Sequence, residues 1–204
     1  MTARAQNAPD VDAAVAVVRT RAAAGHVVAQ FTLGSLLYYG GVDLSQAVDW
    51  FRRAAGQNYP PAEFQLGQLY DFGFGVEQDD AQALAWYRRA AAGGSAAAQR
   101  AVGDFYRTGR AVTKDPVEAA RWYRLAADGD DVRAQYQLAQ MCLNGDGVPH
   151  DYASAYVWSA VAAAQAPLID NRKALIEMRN IASVRLGEDA AAEAAKRVAD
   201  WKPR

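Results

Sequence analysis

The chain has 204 residues, of which 51% are hydrophobic and 22% are charged, and its formal net charge at pH 7 is −1. A protein that binds nucleic acid normally carries a basic stripe, so this balanced charge argues against a nucleic-acid partner. The single cysteine excludes an intramolecular disulfide framework and a multi-cysteine metal cluster. No stretch approaches the roughly 20 apolar residues of a membrane-spanning helix.

The N-terminal segment, residues 1–28, is predicted to contain a capping helix. Residues 10–24 place apolar side chains on one face of a helix. The first ten residues hold no apolar run and cannot form a complete signal peptide, although Ala3-Arg4-Ala5 has the small-residue spacing of a cleavage site. We therefore expect a cytoplasmic location for the chain as given, and a periplasmic one if a signal peptide was removed.

A repeat of 36 residues organises the chain from residue 29 to residue 165. Tryptophan and aspartate recur in one register, at Trp50, Trp86, Trp122 and Trp158 and at Asp43, Asp79, Asp115 and Asp151. Chance does not place eight residues in this way, so each interval of 36 residues is predicted to be one structural repeat.

The second helix of each repeat begins at the recurring aspartate. In the second repeat Ala83, Trp86, Tyr87 and Ala90 fall at i, i+3, i+4 and i+7, which is one face of an α-helix. The Asp79 carboxylate is predicted to accept hydrogen bonds from amides of the first turn. The tryptophans share a face with the alanines, so we expect them in the core and largely buried.

The first helix of each repeat carries leucine and alanine on its packed face, and a glycine recurs there in three of the repeats. A glycine within a helix costs ~1 kcal/mol relative to alanine, so Gly34, Gly67 and Gly103 indicate close approach of a neighbouring helix. The helices are predicted to end at glycines in the left-handed conformation, at Gly40, Gly73, Gly109 and Gly145.

Residues 62–93 follow the pattern A-x-x-x-L-G-x-L-Y-x-x-G-x-G-V-x-x-D-x-x-x-A-x-x-W-Y-R-x-A-A-x-x-G. This pattern resembles the SEL-one-like repeat, a relative of the tetratricopeptide repeat. Residues 98–129 and 134–165 match with single replacements, and residues 29–56 match with an inter-helix turn three residues shorter. The ending E-D-A-A-A-E-A-A-K-R-V-A-D-W is similar to the terminal helix of many bacterial members.

The resemblance implies an all-α fold, an α-α superhelix. We expect a right-handed α-solenoid of about four helix pairs over residues 29–165, with capping helices in residues 1–28 and 166–204. The whole chain is predicted to form one solenoid domain of about eleven helices and no strand.

The sequence predicts no catalytic residue, no cofactor and no metal site. Cys142 takes the packing position of Tyr70 and Tyr106, so we interpret it as a buried structural thiol. The two histidines, His26 and His150, lie too far apart in a solenoid to form a zinc site. Acidic runs fall at helix starts, where capping already explains them.

The resemblance implies a non-enzymatic scaffold or adaptor that binds a peptide or partner protein in a concave groove. Two alternatives stay open. One is a β-lactam-binding or hydrolysing enzyme like cysteine-rich relatives, although this chain has one cysteine and no S-x-x-K motif. The other is a structural component of an envelope or polysaccharide-secretion assembly. The oligomeric state is left open.

When the groove positions of the tetratricopeptide repeat are carried over by register, they give four candidate residues in each repeat. They are Phe31, Ser35, Tyr38 and Tyr39, then Phe64, Gln68, Asp71 and Phe72, then Arg100, Asp104, Arg107 and Thr108, then Arg133, Tyr136, Gln140 and Asn144. Our hypothesis is an apolar anchor at the aromatic end and an acidic segment at the arginine end. The competing interpretation is that Phe31, Phe64 and Phe72 only pack between adjacent first helices.

Overall fold

The computed structural model describes residues 8–41, 43–165 and 172–203, with side chains described from residue 13 onward. These residues form eleven α-helices and no strand, which confirms the all-α prediction. The helices are α1 (Ala8–Ala23), α2 (Val27–Tyr39), α3 (Leu44–Ala55), α4 (Pro60–Phe72), α5 (Asp80–Ala92), α6 (Ala96–Thr108), α7 (Pro116–Asp128), α8 (Val132–Asn144), α9 (Tyr152–Gln165), α10 (Arg172–Leu186) and α11 (Glu188–Asp200).

The helices divide into two compact units, residues 1–93 and residues 94–204. In the first unit α2 packs on α3 and α4 packs on α5, while α1 packs on α2. In the second unit α6 packs on α7 and α8 packs on α9, and α10 and α11 both pack on α9. The predicted domain bounds, with capping segments at both ends of a single domain, stay a prediction.

The recurring aspartates are the N-caps of the second helices, as predicted. Asp79 Oδ1 accepts hydrogen bonds from the amides of Ala81 at 2.9 Å and Gln82 at 3.0 Å. Asp43 accepts from the Gln46 amide in the same way, and this bond lowers the pKa of the Asp43 carboxyl. The carboxylates bind amides that have no partner within the helix, so each repeat fixes the start of its own second helix.

The ends of the first helices follow the prediction in three repeats and depart from it in one. Gly73, Gly109 and Gly145 have φ angles of 73°, 77° and 71°, in the left-handed region. Gly40 instead has φ −73°, and the positive φ of 63° falls on Gly41. Helix α2 does end at Gly40, as predicted, but the left-handed conformation expected for Gly40 is wrong, because in this shorter turn it falls one residue later.

The recurring glycine in each first helix lies under an aromatic ring of the second helix. A Cβ atom at Gly67 would come within 2.5 Å of the Tyr87 ring, which is buried. The equivalent pairs are Gly34 with Phe51 and Gly103 with Tyr123, where the same distance would be 2.8 Å in both. The predicted close approach is therefore an approach of a ring to a helix backbone.

The fourth repeat replaces both members of this pair. Ala139 occupies the glycine position, and Ser159 occupies the position of Phe51, Tyr87 and Tyr123. Both residues are fully buried. A serine leaves free the space that a ring would fill, so the methyl group of Ala139 does not meet a ring. The two positions therefore change together because they share one volume.

The tryptophans are less buried than expected. Trp50, Trp86 and Trp122 are partly buried, and of the four only Trp158 is buried. The residue after the tryptophan occupies the centre of each helix pair, as Phe51, Tyr87 and Tyr123 are buried. The sequence pattern put both residues on one helical face and did not distinguish the centre of that face from its edge.

We predict that Gly67→Ala destabilises the protein by about 2 kcal/mol, because the buried Tyr87 ring cannot retreat from the new methyl group. In a Tyr87→Ser background the same change should stabilise the protein by up to ~1 kcal/mol, since only the helix propensity of alanine remains. Urea unfolding of the wild type, both single variants and the double variant gives the coupling. Additive effects would contradict the ring-on-glycine contact.

Candidate binding surfaces

Two of the predicted groove aromatics pack within their own unit. The Phe31 ring centroid lies 5.6 Å from that of Phe51 and 5.5 Å from that of Tyr59. The Phe64 centroid lies 5.6 Å from that of Tyr87. Phe31 and Phe64 are partly buried. They contribute to the packing of the helix pairs, as the competing interpretation expected for these two residues.

The other predicted aromatics of the first unit lie at the C-terminal ends of α2 and α4 and are exposed. Tyr39 is 77% exposed and Phe72 is 59% exposed. These two residues hold the same position in consecutive repeats, 33 residues apart. Tyr38 is partly buried, and its ring contacts that of Tyr39 edge to face at a centroid distance of 5.0 Å. The first unit therefore presents large aromatic side chains to solvent at a repeated position.

Phe74 extends this exposed surface, and the sequence analysis missed it. Its ring centroid lies 5.9 Å from that of Phe72, and its side chain is exposed. It stands in the turn between Gly73 and Gly75. A phenylalanine between two glycines of a polar turn was a usable signal, because a turn does not need a large apolar residue.

Asp71, another predicted groove residue of the first unit, interacts with the core. Its Oδ2 accepts a hydrogen bond from the Tyr87 hydroxyl at 3.1 Å. A hydroxyl on a ring that is almost fully buried needs a partner at its tip. Asp71 therefore has a structural role that its position in the groove did not indicate.

In the second unit the hydroxyl of Tyr123 makes the corresponding contact with Asp104. It donates to Asp104 Oδ1 at 2.7 Å and accepts from Arg107 Nε at 3.1 Å. Burial and the Asp104 carboxylate raise the pKa of Tyr123. Phe51 has no hydroxyl, and the residue equivalent to Asp71 in its repeat is the uncharged Tyr38. Charged side chains thus lie on the first helix in the repeats where a buried tyrosine hydroxyl needs a hydrogen-bond partner, and Tyr38 takes that place where the ring is a phenylalanine.

Two of the three arginines predicted to bind a carboxylate of the partner, Arg100 and Arg107, already bind carboxylates of the chain. Arg100 Nη1 lies 3.1 Å from Asp104 Oδ2, and its Nε lies 3.3 Å from Asp131 Oδ2. Arg107 Nη2 lies 3.8 Å from Asp104 Oδ1. These internal ion pairs reduce the positive potential that the arginines present to solvent.

The remaining predicted residues of the second unit are mostly polar and exposed. Arg133, Gln140, Thr108 and Asn144 are exposed, whereas Tyr136 is partly buried against the core. The structure thus places the exposed aromatic candidates in the first unit and polar candidates in the second.

A buried polar residue on the first helix was also missed by the sequence analysis. Gln30 Nε2 donates to the carbonyl of Ala22 at 3.3 Å, and Gln135 Nε2 donates to the carbonyl of Ala127 at 3.3 Å. Both carbonyls belong to the last turn of the preceding helix, where they have no partner within that helix. The buried glutamine therefore joins one repeat to the one before it.

The second repeat makes the same connection with two residues. Glu63 replaces the glutamine and cannot donate, and its side chain is only 5% exposed. Arg89 Nη2 lies 2.9 Å from Glu63 Oε1 and donates to the carbonyl of Ala55 at 3.0 Å. The arginine supplies the missing donor and neutralises the buried carboxylate.

Arg89→Ala should cost about 3–5 kcal/mol, because it leaves the buried Glu63 carboxylate unpaired. Adding Glu63→Gln should recover a large part of that loss, since a glutamine at this position can donate to Ala55 as Gln30 does to Ala22. Chemical denaturation of the single and double variants measures both effects.

Arg53→Ala is the matched control for Arg89→Ala. Arg53 and Arg89 are equivalent in consecutive repeats, and their guanidinium carbons lie 4.4 and 4.6 Å from the ring centroids of Trp50 and Trp86. Removal of this exposed cation–π contact should cost below about 1 kcal/mol. A loss at Arg53 as large as the loss at Arg89 would contradict the role assigned to Glu63.

Cys142 is buried, as predicted. Burial is the main cause that raises the pKa of its thiol, to about 11. His26 and His150 are exposed, and each Nδ1 lies near a backbone carbonyl oxygen, that of Arg21 at 3.1 Å and that of Leu143 at 2.9 Å. No cluster of three or more His, Cys, Asp or Glu side chains suited to a metal ion occurs in the described part of the chain. None of the helices described there is long and apolar enough to cross a membrane.

The native protein should react very slowly with Ellman's reagent at about pH 8. A pKa of about 11 leaves roughly one thiol in a thousand as thiolate at that pH, and burial blocks access as well. Unfolding in guanidinium should restore the rate of an ordinary cysteine. A Thr108→Cys variant, which adds an exposed thiol, provides the positive control. Equal rates in the native and unfolded wild type would contradict the buried position.

The packing described above defines a class of protein built from repeated pairs of α-helices. A family model named Sel1 repeat matches residues 27–59, 60–95, 96–131 and 132–167. The chain therefore belongs to the Sel1 repeat family. Its four repeats, with eleven helices in the described residues, confirm the α-solenoid fold class that the sequence predicted.

Two solved structures support this assignment. One is the crystal structure of c5321, described as a protective antigen of uropathogenic Escherichia coli strains with an SLR fold, at 37% identity and a TM-score of 0.76. The other is a Sel1 repeat protein from Oxalobacter formigenes, at 34% identity and a TM-score of 0.73. The matches cover 91% and 80% of this chain but only 40% and 48% of those proteins. A comparison with curated proteins finds no match.

Proposed function

We propose that the chain is a non-enzymatic module that binds another protein, and that Tyr39 and Phe72 contact the partner. Sel1 repeat proteins typically mediate protein–protein interactions, and their fold is generally a non-catalytic scaffold. The observation that carries the proposal for this chain is the exposure of two large aromatic side chains at the same position of consecutive repeats.

Exposed aromatic residues favour binding because their burial against a partner removes apolar surface from water. Burial of such a side chain contributes roughly 1.5–3 kcal/mol, and tyrosine is enriched among residues that dominate binding energy. Phe74 and Tyr38 stand beside Phe72 and Tyr39, so each position offers a pair of rings. Two such pairs provide anchor points for apolar side chains of a partner.

The charge of these helices indicates the chemistry of the partner. Helix α2 contains no charged residue, and the two charged residues of α4 are Glu63, which is buried, and Asp71, which accepts from Tyr87. A segment that binds here therefore needs apolar or aromatic side chains and gains little from charge. We do not extend the proposal to an acidic segment at Arg100 and Arg107, because these arginines already bind Asp104 and Asp131.

The enzyme alternative lacks a nucleophile of the required kind. A cysteine that acts on a β-lactam has to be accessible and partly ionised, whereas Cys142 is buried and burial raises its pKa to about 11.

A phage-displayed peptide library, selected on the full chain, tests the proposal. We expect the selected peptides to be rich in aromatic and aliphatic residues. The Tyr39→Ala/Phe72→Ala variant should bind them at least about tenfold more weakly. Their affinity for the wild type should hardly change between about 0.05 M and about 0.5 M NaCl, because no ion pair is involved.

Thr108→Ala/Asn144→Ala is the matched control, since Thr108 and Asn144 hold the position of Tyr39 and Phe72 in the third and fourth repeats. It should bind the selected peptides as the wild type does. Unfolding curves confirm that both double variants fold. Peptides that bind the aromatic variant as tightly as the wild type would refute the proposed surface.

A further inference from the structure

The chain covers the outer face of one of its own second helices with another helix. On α9 this face carries Val157 and Val161, which are buried against Ala194 of α11. At the end of α11 the Trp201 ring contacts that of Trp158 edge to face, at a centroid distance of 6.4 Å. The outer face of a second helix in this fold can thus bind an amphipathic helix that presents small and aliphatic residues.

The equivalent face of α7 has no such cover in the part of the chain that the structure describes. Val117, Arg121 and Leu125 lie four residues apart and share one side of the helix. Val117 is 50% exposed and Leu125 is 51% exposed, although Arg121 and Leu125 are the counterparts of the buried Val157 and Val161. An apolar surface that is buried in one repeat is therefore open in the preceding one.

This open face forms a shallow groove together with the turn of the following repeat. Val148 in that turn and Leu138 in α8 complete its apolar lining, beside Val117 and Leu125. Leu138 is fully buried and forms part of the floor. Residues of α7, of α8 and of the turn all line this groove, so it is present in the folded chain without a rearrangement.

The groove has a positive rim, which α9 lacks. Its charged lining residues are Arg121 and Arg124, whereas α9 contains no charged residue at all. The Arg121 side chain is 73% exposed and pairs with Glu118 only across one turn of the same helix, at 3.1 Å. An exposed pair of this kind is weak and can exchange partners. The Arg124 guanidinium carbon lies 5.4 Å from the centroid of the Trp158 ring.

We propose that this groove, defined by Val117, Leu125, Val148, Arg121 and Arg124, binds an amphipathic helix of a partner protein. The helix carries small or aliphatic residues at i, i+4 and i+7 toward Val117 and Leu125, as Ala194 and Val198 of α11 face α9. It carries aspartate or glutamate beside this stripe, facing Arg121 and Arg124. The site shares no residue with the aromatic surface of the first unit.

A display library of helical peptides tests the inference. Its scaffold repeats the apolar spacing of α11, and the residues beside the apolar stripe are randomised. Selection on the full chain should enrich acidic residues at those positions. Leu125→Asp should abolish binding of the selected helices, because it places a carboxylate on the apolar stripe and opposite the acidic flank.

Two further variants test the contribution of charge and the specificity of the site. Arg121→Glu should weaken the selected helices about tenfold and reduce the dependence of their affinity on salt. Val184→Asp is the matched control, since Val184 is an exposed aliphatic residue of α10 outside the groove, and it should change nothing. Thermal unfolding followed by circular dichroism shows that each variant is folded.

The outcomes are distinct. Enriched acidic helices that lose binding to Leu125→Asp and keep binding to Val184→Asp support the inference. A library that yields no binder overturns it, as do binders that tolerate both Leu125→Asp and Arg121→Glu. Helices that lose binding only to Tyr39→Ala/Phe72→Ala also overturn it, because they occupy the aromatic surface of the first unit.

Discussion

The contact on which three of the four helix pairs depend is that of an aromatic ring with the backbone of the first helix. Gly67 and its equivalents leave no side chain between that backbone and the ring of Tyr87, Tyr123 or Phe51. A glycine weakens an isolated helix, but here it allows a ring to fill the centre of the pair at van der Waals distance. In the fourth repeat both residues of the contact change together, since Ser159 stands in place of the ring and Ala139 in place of the glycine.

Where the ring is a tyrosine, it also explains three charged residues of the first helices, which are Asp71, Asp104 and Arg107. A buried tyrosine has a hydroxyl at the tip of its ring, and this hydroxyl needs a hydrogen-bond partner. Asp71 provides it for Tyr87, and Asp104 with Arg107 provides it for Tyr123. Residues that register assigned to a binding groove therefore stabilise the core instead. This explains why charge at a groove position is weaker evidence of binding than an exposed aromatic side chain.

The two surfaces that we propose for partners are surfaces that the internal packing of the described residues does not use. In the first unit these are the rings of Tyr39 and Phe72 at the ends of the first helices. In the second unit it is the outer face of α7, where Arg121 and Leu125 replace the aliphatic residues that α11 covers on α9. One unit thus offers an uncharged aromatic surface and the other an apolar groove with a basic rim.

The sequence by itself determined the family, the number of helices and the capping of the second helices. These features depend on local spacing, since an aspartate caps the helix that follows it and a 36-residue interval repeats the same pair. Only the tertiary structure decided which groove residues face solvent. Phe31 and Phe72 are both aromatic candidates on first helices, yet Phe31 packs on Phe51 and Tyr59 while Phe72 is exposed. The partners of Glu63 and Arg100 were equally hidden, because Arg89 and Asp131 lie 26 and 31 residues further along the chain and approach only when the helices pack.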